Sequence, residues 1–268
     1  MLGSPIEHSL SPVLHREAYA ALGLRGCSYG RHAVGGAGEP TLQEFLAGLE
    51  DPAWAGLSLT MPLKEDALAC AATASDHARL LGAANTLVRR GEGWHAESTD
   101  AHGARAALLE AGARGATDAL VLGAGATARS VLAALAELGC ARVVLAVRSS
   151  ARAETVAVGE ALGLTVESVP LAELAAVAPG FPVVVSTLPT GTALDLPAPT
   201  RLGEGAVVMD VVYGGWPTPL ARWAEASGAR VISGLPMLLH QAGEQVRLMT
   251  GREAPIEAMR AALTAAAG

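Results

Sequence analysis

Cysteine is scarce in this chain: Cys27, Cys70 and Cys140 stand far apart and form no Cys-x-x-Cys pair. They read as small buried hydrophobes in a reducing compartment. The histidines show no His-Glu-x-x-His or other ligand spacing, so no metal site is expected. No Cys–His arrangement is read, so covalent hydrolysis by a thiol has no support. Charge, Gly or Pro interrupts every apolar stretch before it reaches a membrane-spanning length. No charged N-terminal region leads into an apolar run, so no secretion signal is read and a cytoplasmic location is expected. Positive charge is in deficit, with a formal net charge of -7. An acidic chain repels phosphate backbones and anionic membranes, so neither nucleic acid nor a lipid surface is an expected partner. A local basic pocket for a small anion remains compatible with that charge.

What is present suits a two-domain α/β protein. The 268 residues, 51% of them apolar, suffice for two cores. The most regular stretch begins at Ala119-Leu120-Val121-Leu122, a short apolar run read as a buried parallel strand. It runs into Gly123-Ala124-Gly125-Ala126-Thr127-Ala128 and a helix from Thr127 to Leu138, with Val131, Leu132, Leu135 and Leu138 at helical spacing. Gly139 is the stop, and Arg142 to Val147 is the next strand, completing a βαβ unit. Alternation continues with helix 151–162, strand 165–169, helix 171–177, strands 182–186 and 206–210, helix 218–227 and strand 230–233. That order predicts a doubly wound parallel sheet.

The first hundred residues are mixed. Helices are expected over 12–22, with Ser11 as N-cap, Pro12 at the first position and Gly23 as the stop, and over 41–49, 62–72 and 101–110. Strands are expected over 29–34 and 57–60, and a hairpin joins 86–90 to 94–96 around Gly91-Glu92-Gly93. Two helices, separated near Gly251 and Pro255, fill residues 236–268 and are expected to return to the first domain.

Gly123-x-Gly125-x-x-Ala128, between a strand and a helix, has the context of a dinucleotide fingerprint. The first Gly permits the tight turn, the second lets a pyrophosphate approach the backbone, and Ala128 allows close helix–strand packing. The alternative is a βα turn with glycines for geometry alone. The end of the second strand reads Val147-Arg148-Ser149-Ser150, with Arg152 nearby and no acid to hold ribose hydroxyls. A guanidinium and hydroxyls suit a 2′-phosphate, which favours NADP over NAD. Lys64, expected in the first turn of a helix, opposes the helix dipole and suits proton transfer; alternatively it is an exposed lysine balanced by Glu65 and Asp66. Asp100 is either a helix cap or a carboxylate paired with Lys64. Ser9 and Ser11 are either turn and cap residues or hydroxyls that bind a carboxylate. Asn85 is a turn residue or a hydroxyl-reading amide, and Gln241 a surface glutamine or another such amide.

Together these segments resemble the shikimate dehydrogenase family, in the family's order and over nearly the whole chain. The carriers are His8-Ser9-Leu10-Ser11-Pro12 with His15; Thr60, Pro62 and Lys64; Ala83, Asn85 and Thr86; Thr99-Asp100; Gly123 to Gly125; Asp210 and Tyr213; and Gly234-Leu235-Pro236-Met237 with Gln241. The resemblance implies NADP-dependent interconversion of 3-dehydroshikimate and shikimate, on the route to chorismate and the aromatic amino acids. A paralogue acting on quinate or an amino analogue is the alternative. It implies Lys64 and Asp100 as the catalytic pair. Ser9 and Ser11 would hold the substrate carboxylate, and Thr60, Asn85, Asp100 and Gln241 the ring hydroxyls, with Tyr213 nearby. Gly123, Ala124, Gly125, Ala126, Arg148 and Ser149 would hold NADP, with Gly234 and Met237 at its nicotinamide end. The implied substrate domain is 1–100 completed by 236–268, the implied Rossmann domain 101–235, with the site in the cleft; a monomer or homodimer is expected. The chain departs from the family at Ser58 and at Val147, where Asn is usual. Only two residues precede Gly3, where a longer first strand is usual: either the strand is shortened, which would weaken that domain's sheet, or the true start lies upstream.

Overall fold

The computed structural model describes residues 1–49, 53–199 and 201–267, so Gly268, the end of the expected C-terminal segment, lies outside them. The chain divides into two compact units, one of Met1–Thr99 and Leu238–Gly268, the other of Asp100–Met237.

The first unit opens with β1 (Leu2–Gly3), α1 (Ser11–Ala21), β2 (His32–Ala33), α2 (Leu42–Ala47) and β3 (Gly56–Ser58). It continues with α3 (Asp66–Cys70), β4 (Thr73–Ala74), α4 (Asp76–Leu81), β5 (Thr86–Arg90) and β6 (Gly93–Glu97). A four-stranded sheet runs in the order β3-β5-β6-β4, and β1 and β2 form a separate parallel pair. β5 and β6 are the expected hairpin, antiparallel with Arg90 opposite Gly93. Its two-residue loop has positive φ at Gly91 and not at Glu92, the pattern of a type II′ turn. Leu2, Val34, Leu57, Leu59, Leu63, Leu87 and Trp94 share the core of this unit. Each fully buried leucine contributes roughly 1.5–3 kcal/mol.

Several boundaries differ from expectation. The N-cap of α1 is Leu10, not Ser11, and it makes no side-chain cap bond; Ser11 is the first helical residue. The expected strand over 29–34 contracts to His32–Ala33, because β1 offers only Leu2 and Gly3 as partners. The helix expected from Pro62 starts only at Asp66, and residues 61–65 form turns. The reason is tertiary: the Lys64 carbonyl accepts the Ala84 N–H at 2.7 Å and is not left for a helical ladder. Lys64 therefore precedes a five-residue helix, and the dipole reasoning for it lapses. Thr41 caps α2 through a reciprocal bond with Glu44.

The second unit runs α5 (Asp100–Glu110), β7 (Asp118–Leu122), α6 (Ala126–Glu137), β8 (Arg142–Val147), α7 (Ala153–Ala161) and β9 (Thr165–Pro170). A 3-10 turn (Leu171–Glu173) then leads to α8 (Leu174–Val177), β10 (Val183–Ser186), β11 (Val207–Asp210), α9 (Pro219–Ala226) and β12 (Arg230–Ile232). The six strands are all parallel in the order β12-β11-β10-β7-β8-β9. That is the doubly wound Rossmann order, with its switch point between β7 and β10. Burial on both faces explains the unbroken apolar runs: Ala119, Val121, Val143, Leu145, Val183 and Val185 pack to one side, Leu120, Leu122, Val144, Ala146 and Val184 to the other.

The chain ends with α10 (Leu235–Thr250) and α11 (Ile256–Ala267), and α11 packs on α1. Among the described residues no helix is long and apolar enough to cross a membrane.

Candidate active site

In the first unit the backbone brings the serine loop beside the threonine–lysine segment. Thr60 N–H donates to the Leu2 carbonyl at 2.9 Å and Ser4 N–H to the Met61 carbonyl at 3.0 Å. Gly3 has φ +155°, and a Cβ there would lie 2.3 Å from Thr60 Cγ2, so only glycine fits. Beyond this contact the Ser11 N–H donates to Ser9 Oγ at 3.3 Å. As an acceptor there, the Ser9 hydroxyl retains its own proton for a ligand. Ser11 is buried, and Ser9 and Thr60 are half-buried. The Lys64 side chain is also half-buried, behind the turn closed by the Leu63 N–H to Thr60 carbonyl bond of 2.9 Å.

Asn85, immediately before β5, is buried and bonded at both ends of its amide. Its Oδ1 accepts from Thr99 N–H at 2.8 Å and from the Thr86 hydroxyl at 2.9 Å. Its Nδ2 donates to Gln241 Oε1 and to Thr99 Oγ1, each at 3.0 Å. Two of the expected substrate amides are thus bonded partners, 156 residues apart in sequence. Behind them Gln245 Nε2 donates to Thr86 Oγ1 at 3.0 Å, and Gln245 Oε1 accepts from the Ser58 hydroxyl at 2.9 Å. Ser58 in turn accepts from Tyr29 OH at 2.6 Å, and the Tyr29 ring stacks on His15 at 3.9 Å. Burial holds the Tyr29 phenol protonated, well above its ordinary range, and drives His15 down to about 3. Sequence reading missed Gln245 and Tyr29 because each meets its partners across long stretches of chain. Gln245 is buried on α10, which its sequence position alone does not reveal.

In the second unit, the glycine turn joins β7 to α6. Gly123 has φ +101°, and a Cβ on it would lie 2.7 Å from Thr187 Oγ1. A Cβ on Gly125 would meet nothing within 4 Å, so the space over the turn is open. The turn's carbonyls are occupied: Leu122 accepts from the Thr187 hydroxyl at 2.8 Å, Ala124 from the Thr155 hydroxyl at 2.8 Å. Gly125 caps α6 with no side chain, so the turn offers main-chain donors to an anion. Sequence reading did not find Thr155 or Thr187; both act from elements distant along the chain. Ala124 and Ala126 are half-buried in this turn. Val147 is buried, whereas Arg148 and Ser149 just past β8 are exposed. An open cradle of main-chain donors with an exposed guanidinium fits a phosphorylated dinucleotide.

Asp100 is the first residue of α5, inside the helix rather than capping it. Asp210 ends β11, buried, accepting from the Thr218 hydroxyl at 2.8 Å and the Val212 N–H at 3.3 Å. Burial raises its carboxyl above the ordinary range against these bonds. Tyr213 follows in the loop, half-buried. A Cβ on Gly234 would lie 1.9 Å from the Val211 carbonyl oxygen, and Met237 is buried in this unit's core. Of the thiols, only Cys140 is buried; Cys70 is half-buried and Cys27 is exposed, contrary to the expectation of three buried hydrophobes. Among the described residues no group of three or more His, Cys, Asp or Glu is arranged to hold a metal ion.

The doubly wound sheet and its glycine turn define a dinucleotide-binding α/β protein. Family models narrow this: the shikimate dehydrogenase substrate binding domain matches residues 1–87, the shikimate / quinate 5-dehydrogenase model 107–194, and the shikimate 5'-dehydrogenase C-terminal domain 234–264. A shikimate dehydrogenase (NADP(+)) from Aeropyrum pernix is 38% identical over 100% of this chain and 97% of its own. The crystal structure of Mycobacterium tuberculosis shikimate dehydrogenase superposes with a TM-score of 0.82 at 42% identity, covering 98% of this chain and 97% of that one. A shikimate 5-dehydrogenase from Thermus thermophilus, solved with NADP(H) and shikimate, gives 0.78 at 33% identity, covering 99% and 97%. The chain belongs to the shikimate dehydrogenase family.

Proposed function

We propose that this chain is an NADP-dependent shikimate dehydrogenase, an oxidoreductase that reversibly reduces 3-dehydroshikimate to shikimate on the route to chorismate and the aromatic amino acids. One observation carries the reading: full-length similarity to a relative of that name. Residues 1–100 with 236–268 would bind the substrate and residues 101–235 the cofactor.

NADPH supplies the hydride when bound. As the ketone is reduced, negative charge grows on its oxygen, and Lys64 donates a hydrogen bond and then a proton to it. Asp100 is its partner in acid–base work and takes a neighbouring hydroxyl. Ser9 and Ser11 hold the carboxylate; the Ser9 geometry, accepting from Ser11 N–H, supports this because the hydroxyl proton is left to donate. Thr60, Asn85 and Gln241 read ring hydroxyls, with Tyr213 contributing. Gly123, Ala124, Gly125 and Ala126 would hold the pyrophosphate, Arg148 and Ser149 the 2′-phosphate, and Gly234 and Met237 the nicotinamide end. The exposed Arg148, with no acid at the end of β8, supports NADP over NAD. We place the enzyme in the cytoplasm as a monomer or homodimer, acting on a small molecule without nucleic-acid or membrane partners.

Quinate is the second reading, because one matching model is described for shikimate and quinate together. The test is NADPH oxidation with 3-dehydroshikimate, run beside shikimate and quinate oxidation with NADP. Turnover of 3-dehydroshikimate and shikimate with weak quinate activity is expected. A quinate preference would move the assignment to the paralogue, and inactivity on all three would overturn it.

A further inference from the structure

The hydrogen bonds behind Asn85 run in one direction, and two unambiguous main-chain groups set that direction. Thr99 N–H is a donor, so the Asn85 atom it meets at 2.8 Å is the oxygen. Asn85 Nδ2 must then face Gln241, whose facing atom must accept and is Oε1, at 3.0 Å. The Gln241 amide is left with Nε2, a donor, as its remaining end. At the other side the Asn85 carbonyl is an acceptor, and Gln245 meets it with Nε2 at 3.3 Å. Gln245 Oε1 therefore faces Ser58, which must donate, and Tyr29 must donate to Ser58. Thr86, accepting from Gln245 Nε2, is left to donate to Asn85 Oδ1. Tyr29, Ser58, Gln245 and Thr86 thus agree on a single orientation of the two substrate amides, and all of these side chains except that of Gln241 are buried.

We infer that Gln245 is a positioning residue, the joint through which Tyr29 and Ser58, by way of Thr86, back the Thr99 N–H in holding Asn85, so that Gln241 presents an N–H donor to a substrate oxygen. Ser58 suits this relay because one hydroxyl both accepts and donates. Without the Gln245 amide, Thr86 is free to reverse its hydroxyl, and Asn85 Oδ1 keeps the Thr99 N–H but loses the second donor that holds it, so Asn85 and Gln241 are held less firmly.

This rests on the shikimate reading, and the experiment separates the two. Shikimate oxidation by wild type and Gln245→Met is measured with KM for both substrates, kcat and melting temperature. Met keeps the side chain's length and removes both hydrogen-bonding ends. The expected result is a KM for shikimate about tenfold higher, with KM for NADP and kcat each within about threefold. A lower melting temperature with KM for shikimate unchanged overturns the inference and leaves the enzyme assignment standing. Wild type inert toward shikimate overturns both. If Gln245→Met does not fold, Ser58→Ala and Ser58→Thr decide: KM rises in Ala and returns toward wild type in Thr, whose hydroxyl restores the relay. Equal KM values for wild type and Ser58→Ala overturn it.

Discussion

Replacing His15 with phenylalanine should flatten part of the enzyme's acid sensitivity. The ring is fully buried in α1, stacked on Tyr29, with Nδ1 against the Ser11 carbonyl at 3.0 Å and no partner for Nε2. Burial is the main cause that brings its pKa from 6.5 to about 3, opposed by the Ser11 bond. Between those values the unfolded ring is charged and the folded ring neutral, so the unfolded state binds one more proton. Stability then rises with pH, at about 1.4 kcal/mol per unit. The contribution is complete above the unfolded value and is lost as pH falls toward the folded one. From pH 6.5 to 5 the loss is about 2 kcal/mol. Phenylalanine keeps the stack and cannot titrate, and the Ser11 carbonyl keeps its helical partner. Urea unfolding of both proteins at several pH values gives the difference, in which the other histidines cancel. The wild type should lose about 2 kcal/mol more than the variant over that interval, and its His15 ring resonances should not titrate at pH 5. Parallel stability profiles, or a ring that titrates with an ordinary pKa, would refute the reasoning.

Lys64→Ala should lower turnover by about a hundredfold or more with substrate binding retained, measured by steady-state rates and titration; near-normal turnover removes Lys64 from proton transfer. Arg148→Ala should raise KM for NADPH by about ten- to a hundredfold and leave NADH kinetics unchanged. Equal losses with both cofactors would contradict its place at the 2′-phosphate. Gly234→Ala would put a methyl 1.9 Å from the Val211 carbonyl, so the backbone must move. A stability loss of about 1–3 kcal/mol, or no soluble product, is expected in a thermal melt; an unchanged melting temperature would mean the loop yields freely.

Where local pattern and tertiary partner agree, the structure was legible in advance. Ala119 to Leu122 and Arg142 to Val147 are apolar throughout because both sheet faces are covered, and Gly123 and Gly139 mark the turns between them. Failures came where a distant group took over the backbone. Pro62 looks like a helix start, but Ala84 claims the Lys64 carbonyl and delays the helix to Asp66. Ser11 looks like a cap, yet Leu10 takes that position and Ser9 receives the Ser11 N–H. The motifs named Asn85 and Gln241 one at a time. Their bond to each other, and the link through Gln245 to Ser58 across 187 residues, has no local pattern to betray it.

The exposure of Cys27 has a practical use. Cys140 is buried with its thiol held up at about 11, and Cys70 is half-buried and also raised, both chiefly by burial. Thiolate is the reacting form, so an electrophilic dye at mildly alkaline pH should label the Cys27 site ahead of the others. That site follows α1, whose N-terminal end carries Ser11, and a fluorophore attached there would report on the helix without any engineered cysteine.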